Sequence, residues 1–252
     1  MDGQSIDVSI VIACYNEMQT IEKNVSRIED IMCATRYSYE IILYDDGSTD
    51  GTRDIGPVLA AKSKNIVWKE HEKNCGRGKT VSDGLKLAKG RISGFLDMDL
   101  EVPAEYILPL ILEIENGYDV AVAWRMEHSD MQSLPFYKKP YAWAYWVLRF
   151  IMSSGYSFLV NFLLGVKFHD TEVGFKFFNH KKILPLLDEI EDNHWFWDTE
   201  IMVRASRKGF KIKEYPALFL KNLEKKSTVK PVRDSIFYFR KLLKFRNGQL
   251  QK

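Results

Sequence analysis

Two carboxylates stand one residue apart at the end of an apolar run, as Asp97 and Asp99 in the segment ISGFLDMDLEVPAE of residues 92–105. Residues two apart on a strand point to the same side, so these carboxylates can converge while Met98 points into the core. Two ionised carboxylates this close repel each other unless a cation or a strong donor lies between them. Their hard oxygen atoms suit Mg²⁺ or Mn²⁺, which predicts a metal site. The competing interpretation is that Asp97 caps a turn and Asp99 caps the helix expected from Ala104.

Two other strand-like segments also end in polar clusters. VIACYNE ends in Tyr15, Asn16 and Glu17, where an aromatic ring and a polar edge can hold a nucleobase. ILYDDGSTDGT carries Asp45 and Asp46, then a Gly-Ser turn that presents backbone N–H groups beside carboxylates suited to a base or a ribose. Open α/β sheets bind ligands at the carboxyl edge of their strands, so these clusters predict one shared site.

The segment NCGRGKTVSDG of residues 74–84 opens a predicted helix, with glycines on both sides of Arg77. Glycine permits a close backbone approach, and the cations Arg77 and Lys79 answer phosphate charge. The spacing is neither Gly-x4-Gly-Lys-Ser/Thr nor Gly-x-Gly-x-x-Gly, so the segment is neither a P-loop nor a dinucleotide fingerprint. Four strand ends in a row therefore carry polar clusters, which chance turn chemistry explains poorly.

The composition excludes several classes of protein. The 252 residues are 46% hydrophobic and 28% charged, as in a globular protein, and 36 basic against 34 acidic residues leave no overall field that points to nucleic acid. Cys14, Cys33 and Cys75 have none of the close spacings of zinc sites or disulfide frameworks, which indicates reduced thiols. The acidic N-terminus does not fit a signal peptide.

Strand-like and helix-like patterns alternate through the first half, which predicts an α/β fold around a mostly parallel sheet. The strands predicted there are Val8 to Cys14, Tyr39 to Tyr44, Asn65 to Lys69, Ile92 to Met98 and Asp119 to Trp124. The helices predicted there are Glu17 to Thr35, Thr52 to Lys62, Arg77 to Lys89 and Ala104 to Asn116. In the second half we predict strands near 175–179 and 211–215 and helices near 140–152, 199–208 and 233–245.

Together these segments resemble the family 2 inverting glycosyltransferases, and within them the dolichyl- or polyprenyl-phosphate sugar synthases such as dolichol-phosphate mannose synthase. The resemblance spans about residues 7 to 245 and rests on VSIVIACYNE, YDDGSTDGT, NCGRGKTVSDGLKLAKG, DMDLEVPAEYI, RFIMS, DTEVGFK, WFWDTEIMVRASRKGFKIKEYP and STV. Three positions depart from the family pattern, since Ala13 and Ala104 replace prolines and Glu101 replaces a glutamine. An acid at 101 is still a good oxygen ligand, but its charge favours Mn²⁺ or alters metal affinity. A further departure is that about twenty residues separate Arg125 from the next family segment.

The resemblance implies a GT-A-type, Rossmann-like nucleotide-sugar-binding fold with a mostly parallel central sheet. It implies a catalytic domain over residues 1–225 and a basic amphipathic helix over residues 226–252. It implies a metal-dependent hexosyltransferase in which Asp97, Asp99 and Glu101 hold Mg²⁺ or Mn²⁺ on the diphosphate. The residues that it places at the nucleotide-sugar donor are Ala13, Tyr15, Glu17, Asp46, Lys79, Asp97 and Met98.

The reaction implied is inverting transfer from GDP-mannose or a UDP-hexose to polyprenyl or dolichyl phosphate. A phosphate monoester is already ionised near neutral pH and can attack without a general base. The resemblance assigns catalytic roles to Asp99, Arg125, Lys176, Asp198 and Glu200, and lipid-phosphate binding to Arg125, Arg149, Ser153, Lys176 and Lys230. Arginine's planar fork suits phosphate oxygens. The alternatives are solvated surface cations and, for Asp198 and Glu200, helix capping and compensation of the helix dipole.

Two segments that mix aromatics with cations, YAWAYWVLRFIM and DSIFYFRKLLKFR, are typical of helices at a membrane interface, although the first also suits a core helix. No window holds the roughly 18 uninterrupted apolar residues that cross a bilayer. We therefore expect a peripheral protein on the cytoplasmic face of a membrane, or one that uses a membrane-spanning partner subunit. Two other functions stay open, namely transfer to a hydroxyl of a glycan or glycolipid, and a non-catalytic nucleotide-sugar-binding subunit.

Overall fold

The computed structural model describes residues 5–127, 155–220 and 231–250, with side chains in the last segment described over residues 238–248. Seven strands in these parts form one sheet, in the order β3-β2-β1-β4-β6-β5-β7. The strands are β1 (Val8–Cys14), β2 (Tyr39–Asp45), β3 (Ile66–Glu70), β4 (Ile92–Asp97), β5 (Val120–Glu127), β6 (Phe175–Asn179) and β7 (Ile212–Phe219). Only β6 runs antiparallel to its neighbours, β4 and β5, so the α/β fold with a mostly parallel sheet is confirmed.

Helices cover the sheet and explain why its central strands are apolar on both faces. They are α1 (Ile21–Cys33), α2 (Thr52–Lys62), α3 (Arg77–Leu87), α4 (Ile107–Glu115), α5 (residues 155–164), α6 (His180–Leu187), α7 (Trp197–Arg207) and α8 (Pro231–Leu250). The helix α1 buries Ile21, Val25, Ile28 and Met32, as the spacing of three and four residues predicts.

Strand register brings the polar clusters to one edge of the sheet. In the parallel pairs of β1, Cys14 lies opposite Asp45 of β2, and Ala13 lies opposite Asp97 of β4. The antiparallel β6 starts at this edge, where the Asp97 N–H donates to the Gly174 carbonyl at 2.8 Å. Parallel strands end together, so chain segments far apart in sequence meet here.

The structure corrects several boundaries. Strand β4 ends at Asp97, so Met98 and Asp99 lie in a turn and not on the strand. Helix α6 was not predicted, because it is short and contains Pro185, although Asn179 caps it by accepting from the Lys182 N–H. Strand β7 continues through Pro216 as an edge strand, where a missing N–H is tolerated. The helix predicted near 140–152 lies outside the described residues.

The C-terminal helix α8 packs on the rest of the fold. Leu242 is fully buried, and the Phe245 and Phe196 rings are 5.7 Å apart. Lys241 donates to Asp192 at 2.6 Å. The division into a domain over 1–225 and a helix over 226–252 stays a prediction. Across the described parts of the chain, no helix combines the length and apolarity needed to cross a membrane.

Candidate active site

Three of the predicted acids line one open cavity of about 60 Å³ at the sheet edge. Asp97, Asp99 and Glu101 lie on its wall together with Arg125, and the rest of the lining is mainly apolar. The cavity therefore combines an anionic patch with a cation on one wall that is open to solvent.

A tight turn, and not the alternation of a strand, places the three acids on this cavity wall. The Leu100 N–H donates to the Asp97 carbonyl at 3.3 Å, and Leu100 adopts a left-handed φ of 49°. The Asp99 carboxylate accepts from the Glu101 N–H at 3.3 Å inside this turn, and the helical turn at Ala104 starts from Pro103 with no side-chain cap. The competing prediction that Asp99 caps that helix is therefore wrong. Met98 is 3% exposed, which confirms that its side chain faces the core.

The chemistry of this wall fits a hard divalent cation. Three carboxylates lie on it, and oxygen donors are the ligands that Mg²⁺ and Mn²⁺ prefer. Among the described residues, the ligand atoms of these three acids do not all lie within 4.8 Å of one another, so an ion that used all three would have to draw the side chains together. Asp97 keeps 40% of its side chain exposed beside the cavity, which leaves it accessible to an ion. Asp97, Asp99 and Glu101 are therefore the residues that could hold the predicted metal.

A buried ion-pair network lies behind Asp97. Arg77 donates through Nε and Nη2 to Asp97 Oδ1 at 2.8 and 2.5 Å, and through Nη1 to Asp198 Oδ2 at 2.6 Å. Lys176 Nζ donates to the other oxygen of Asp198 at 2.6 Å and to the Val173 carbonyl. Burial opposes the charge of Arg77, but Asp198 and Asp97 outweigh it and hold the pKa of Arg77 above its usual value. The predicted role of Arg77, to answer phosphate charge, is corrected here, because its fork contacts two carboxylates.

The predicted catalytic residues Lys176, Asp198 and Glu200 all lie in the interior. Lys176 is fully buried and Asp198 is 1% exposed. Burial lowers the pKa of Lys176, against the opposing charge of Asp198. Glu200, also 1% exposed, pairs with Arg204 at 2.6 Å and accepts from two backbone N–H groups. The structure gives none of the three a position on the cavity wall, so contacts with substrate stay predictions.

Arg125, predicted as an acceptor-side residue, lies on the cavity wall. Its fork holds Asp170 through two hydrogen bonds of 2.6 and 3.1 Å, and the charge of Asp170 outweighs burial to raise the pKa of Arg125. Half-buried Glu172 lies near this pair, and burial raises its pKa to about 7. Arg149, Ser153 and Lys230, also predicted to bind lipid phosphate, lie outside the described residues.

The predicted donor-side residues divide into exposed and internally bonded ones. Tyr15 is 48% exposed, so its ring is available to stack on a base. Asp46 is 3% exposed and accepts from the backbone N–H groups of Cys75 and Gly76 at 2.8 and 2.9 Å. Its carboxylate therefore shapes the loop before α3, and a direct contact with a base stays a prediction. Glu17 accepts from the Thr20 hydroxyl at 2.6 Å, and Lys79 pairs with Asp83.

Sequence reasoning missed His71, which joins two of these groups. Its Nδ1 lies 3.0 Å from Asp46 Oδ1 and its Nε2 lies 3.0 Å from Asp83 Oδ2. The ligand atoms of Asp46, His71 and Cys75 lie within 4.8 Å of one another, but hydrogen bonds already join Asp46 to both other residues. No spacing signal marks His71, because the contact depends on the β2–β3 pairing.

Comparisons with curated proteins give relatives that are longer than this chain. The chain is 32% identical over 216 residues to Glycosyltransferase AglD of Haloferax volcanii, which covers 84% of this chain and 32% of that protein. It is 34% identical over 134 residues to Dolichol-phosphate mannosyltransferase of Pyrococcus furiosus, which covers 52% of this chain and 37% of that protein. The chain thus spans about a third to a half of the length of the curated relatives that it matches.

Solved structures share the fold. Glucosyl-3-phosphoglycerate synthase of Mycobacterium tuberculosis superposes with a TM-score of 0.61 at 18% identity, over 96% of this chain and 81% of that one. A mycobacterial protein superposes with a TM-score of 0.66 at 18% identity, over 96% of this chain and 75% of that one. These neighbours confirm the expected GT-A-type fold. The sequence matches the family Glycosyl transferase family 2 over residues 9–186. Since this match extends over most of the chain, the protein belongs to glycosyl transferase family 2.

Proposed function

We propose that the protein transfers a sugar, with inversion, from a nucleotide diphosphate sugar to polyprenyl or dolichyl phosphate. The observation that carries this proposal is that three carboxylates and Arg125 line the same cavity. The carboxylates suit a metal-bound diphosphate and the guanidinium suits a phosphate acceptor. Donor and acceptor would therefore meet in one site.

On the donor side, Asp97, Asp99 and Glu101 would hold Mg²⁺ or Mn²⁺. A divalent ion bound there would stabilise the negative charge that develops on the leaving diphosphate. Tyr15 would stack on the base, and the loop shaped by Asp46 would lie beside it. Mn²⁺ in a complex of glucosyl-3-phosphoglycerate synthase with uridine diphosphate supports a metal in this fold.

On the acceptor side, Arg125 would bind the lipid phosphate, assisted by Arg149, Ser153 and Lys230. Asp170 fixes the guanidinium in one orientation by its two hydrogen bonds. An ionised phosphate oxygen then attacks the sugar without losing a proton to the protein. The names of relatives, among them a dolichol-phosphate mannosyltransferase and a dodecaprenyl-phosphate galacturonate synthase, support a lipid phosphate.

The test is a transfer assay with labelled GDP-mannose, UDP-glucose and UDP-N-acetylglucosamine, each with dolichyl or undecaprenyl phosphate and with Mg²⁺ or Mn²⁺. We expect an acid-labile lipid-linked sugar with one donor, and its loss by a factor of at least 100 in Asp99→Asn. A matched control is Asp188→Asn, which changes an exposed acid that pairs with Lys86. Failure of every donor with both lipids would refute the proposal. Turnover by Asp99→Asn at the wild-type rate would refute the part of the proposal that assigns a metal to Asp99.

Transfer to a hydroxyl is the second candidate, and it is favoured by the position of an acid, Glu172, directly before the cavity-lining residues Val173 and Gly174. A hydroxyl acceptor needs a base, and a carboxyl with a pKa raised to about 7 is suited to that task. Glu172→Gln separates the two functions. Transfer to lipid phosphate should stay within about threefold of wild type, whereas transfer to a hydroxyl should fall by two orders of magnitude or more.

We further propose that the protein acts at the cytoplasmic face of a membrane. Phe158 and Phe162 of α5 are 66% and 74% exposed, and their rings stack 6.1 Å apart. Such an aromatic pair is suited to the interfacial region of a bilayer. A membrane-spanning partner subunit remains part of this proposal, to be tested by co-purification.

A further inference from the structure

The guanidinium of Arg77 already forms an ion pair with Asp97, one of the three acids proposed to bind the metal. Two of its N–H groups, Nε and Nη2, converge on Asp97 Oδ1 at 2.8 and 2.5 Å. Charge-assisted bonds of this kind are about twice as strong as neutral ones. Arginine stays protonated at any pH relevant to the protein. Asp97 is therefore partly neutralised by a permanent cation of the protein itself.

Arg77 is held firmly behind Asp97 and is not a mobile surface cation. Its third contact, from Nη1, reaches Asp198 Oδ2 at 2.6 Å, and Asp198 is 1% exposed. The guanidinium lies over the rings of Phe95 and Trp195, at 5.4 and 5.1 Å from their centroids. The side chain of Arg77 is only 12% exposed, whereas that of Asp97 is 40% exposed. Asp97 thus meets Arg77 on one side and solvent on the other.

We propose that Arg77 competes with the divalent cation for Asp97 and thereby sets how tightly the site binds the metal. The inference rests on the proposed metal site. A carboxylate that is shared with a guanidinium donates less electron density to a metal than an unshared one, and like charges within a few ångströms repel. Loss of Arg77 would leave Asp198 with its partner Lys176, so the change would act mainly on Asp97.

Arg125 provides a matched control within the same cavity. It carries the same charge and is 21% exposed, but its fork pairs with Asp170. Arg125→Gln therefore removes an equal charge from the cavity wall without releasing Asp97. A general electrostatic effect would appear in both variants, whereas competition for Asp97 would appear only when Arg77 is changed.

The experiment is a titration of the full chain with Mn²⁺ alone, in which electron paramagnetic resonance reports the free ion. We expect Arg77→Gln to bind Mn²⁺ at least fivefold more tightly than wild type and Arg125→Gln to gain less than half of that factor. Arg77→Lys, which keeps the charge but loses the fork, should fall between wild type and Arg77→Gln. If circular dichroism shows that Arg77→Gln fails to fold, the comparison of Arg77→Lys with wild type tests the inference in its place.

Equal or weaker Mn²⁺ binding by Arg77→Gln, or an equal gain by Arg125→Gln, would overturn competition for Asp97 while leaving the metal site in place. Mn²⁺ binding by Arg77→Gln but not by wild type would be the strongest support. Absence of binding in wild type and in all three variants would overturn the metal site and this inference together.

Discussion

Glu172 is an acid near the cavity whose charge state is altered by its surroundings. Burial raises its pKa from 4.5 to about 7, against the charge of Arg125. A carboxyl that binds its proton more tightly in the folded chain makes folding less favourable once it ionises. Relative to Glu172→Gln, wild type should therefore lose stability as the pH rises from about 4.5 to about 7, by up to about 3 kcal/mol.

Urea unfolding of wild type and Glu172→Gln at pH 5 and pH 8 checks this prediction. Every other titrating group is common to both proteins, so the difference between them isolates Glu172. Glu22→Gln, at a position that is 69% exposed, serves as the control. An identical difference in unfolding free energy at both pH values would contradict a raised pKa.

Gly174 is the residue that allows Asp97 and Arg77 to approach β6. A Cβ at this position would overlap the Asp97 carboxylate and the Arg77 guanidinium. Gly174→Ala should therefore lower stability by about 1–3 kcal/mol and disturb the pairing of these two charges. Gly155→Ala is the control, since a Cβ there meets open space. Equal unfolding midpoints for the two variants in urea would show that β6 can shift without penalty.

From local pattern alone, the residues of the site could be grouped only where they are neighbours in sequence, and Arg125 was placed with them only by the family resemblance. Asp97, Asp99 and Glu101 could be grouped because one turn contains them. The pairing of Arg77 with Asp198 joins positions 121 residues apart, and that of His71 with Asp46 joins positions 25 apart. Such contacts depend on how whole elements pack, and no local pattern encodes that.

At the scale of elements, the contact between α3 and α7 carries the Arg77 network. A Cβ on Gly78 would overlap Trp197, so glycine allows the two helices to approach closely. The indole N–H of Trp197, which is fully buried, donates to the Ser82 hydroxyl at 2.7 Å. Ser82→Ala leaves this N–H without its acceptor and should destabilise the protein by about 1–3 kcal/mol.

Differential scanning calorimetry tests the role of Ser82. Ser157→Ala is the matched control, because it deletes a partly exposed hydroxyl that donates to the His169 carbonyl. We expect a lower melting temperature for Ser82→Ala and an almost unchanged one for Ser157→Ala. If both variants had the melting temperature of wild type, the Trp197–Ser82 contact would not hold the two helices together.

Strands with long apolar runs and amphipathic helices were predicted well, as were the five-residue strands β3 and β6, whereas the short helix α6 was not. The strands β1, β2 and β4 are buried on both faces and read as continuous apolar runs. Helix α6 has eight residues, too few for a clear period of 3.6. The turn after β4 was taken for strand because its alternation of Asp and Met matches a period of two.

At the scale of the whole molecule, net charge says little about membrane binding, whereas the exposed apolar surface says more. A formal charge of +2 is too small to bring the protein to an anionic membrane by itself. Helix α8, predicted as an interfacial helix, uses Leu242 and Phe245 for packing inside the fold, with Arg204 over the Phe245 ring at 5.3 Å. Phe239 keeps 43% of its surface exposed. The α5 pair of Phe158 and Phe162 is therefore the larger exposed aromatic surface in the described residues.

If α5 meets the bilayer, its two phenylalanines should provide most of the apolar contribution to membrane binding. Burial of two such rings contributes about 3–6 kcal/mol before entropic losses, so Phe158→Ser with Phe162→Ser should weaken liposome binding at least tenfold. Co-sedimentation with liposomes of mixed neutral and anionic lipids measures this. The control is Leu112→Ser with Leu184→Ser, which removes two exposed apolar side chains from α4 and α6. Equal losses in both double variants would indicate general adhesion. An unchanged affinity of the α5 variant in low salt and in high salt would assign the membrane contact to another part of the chain.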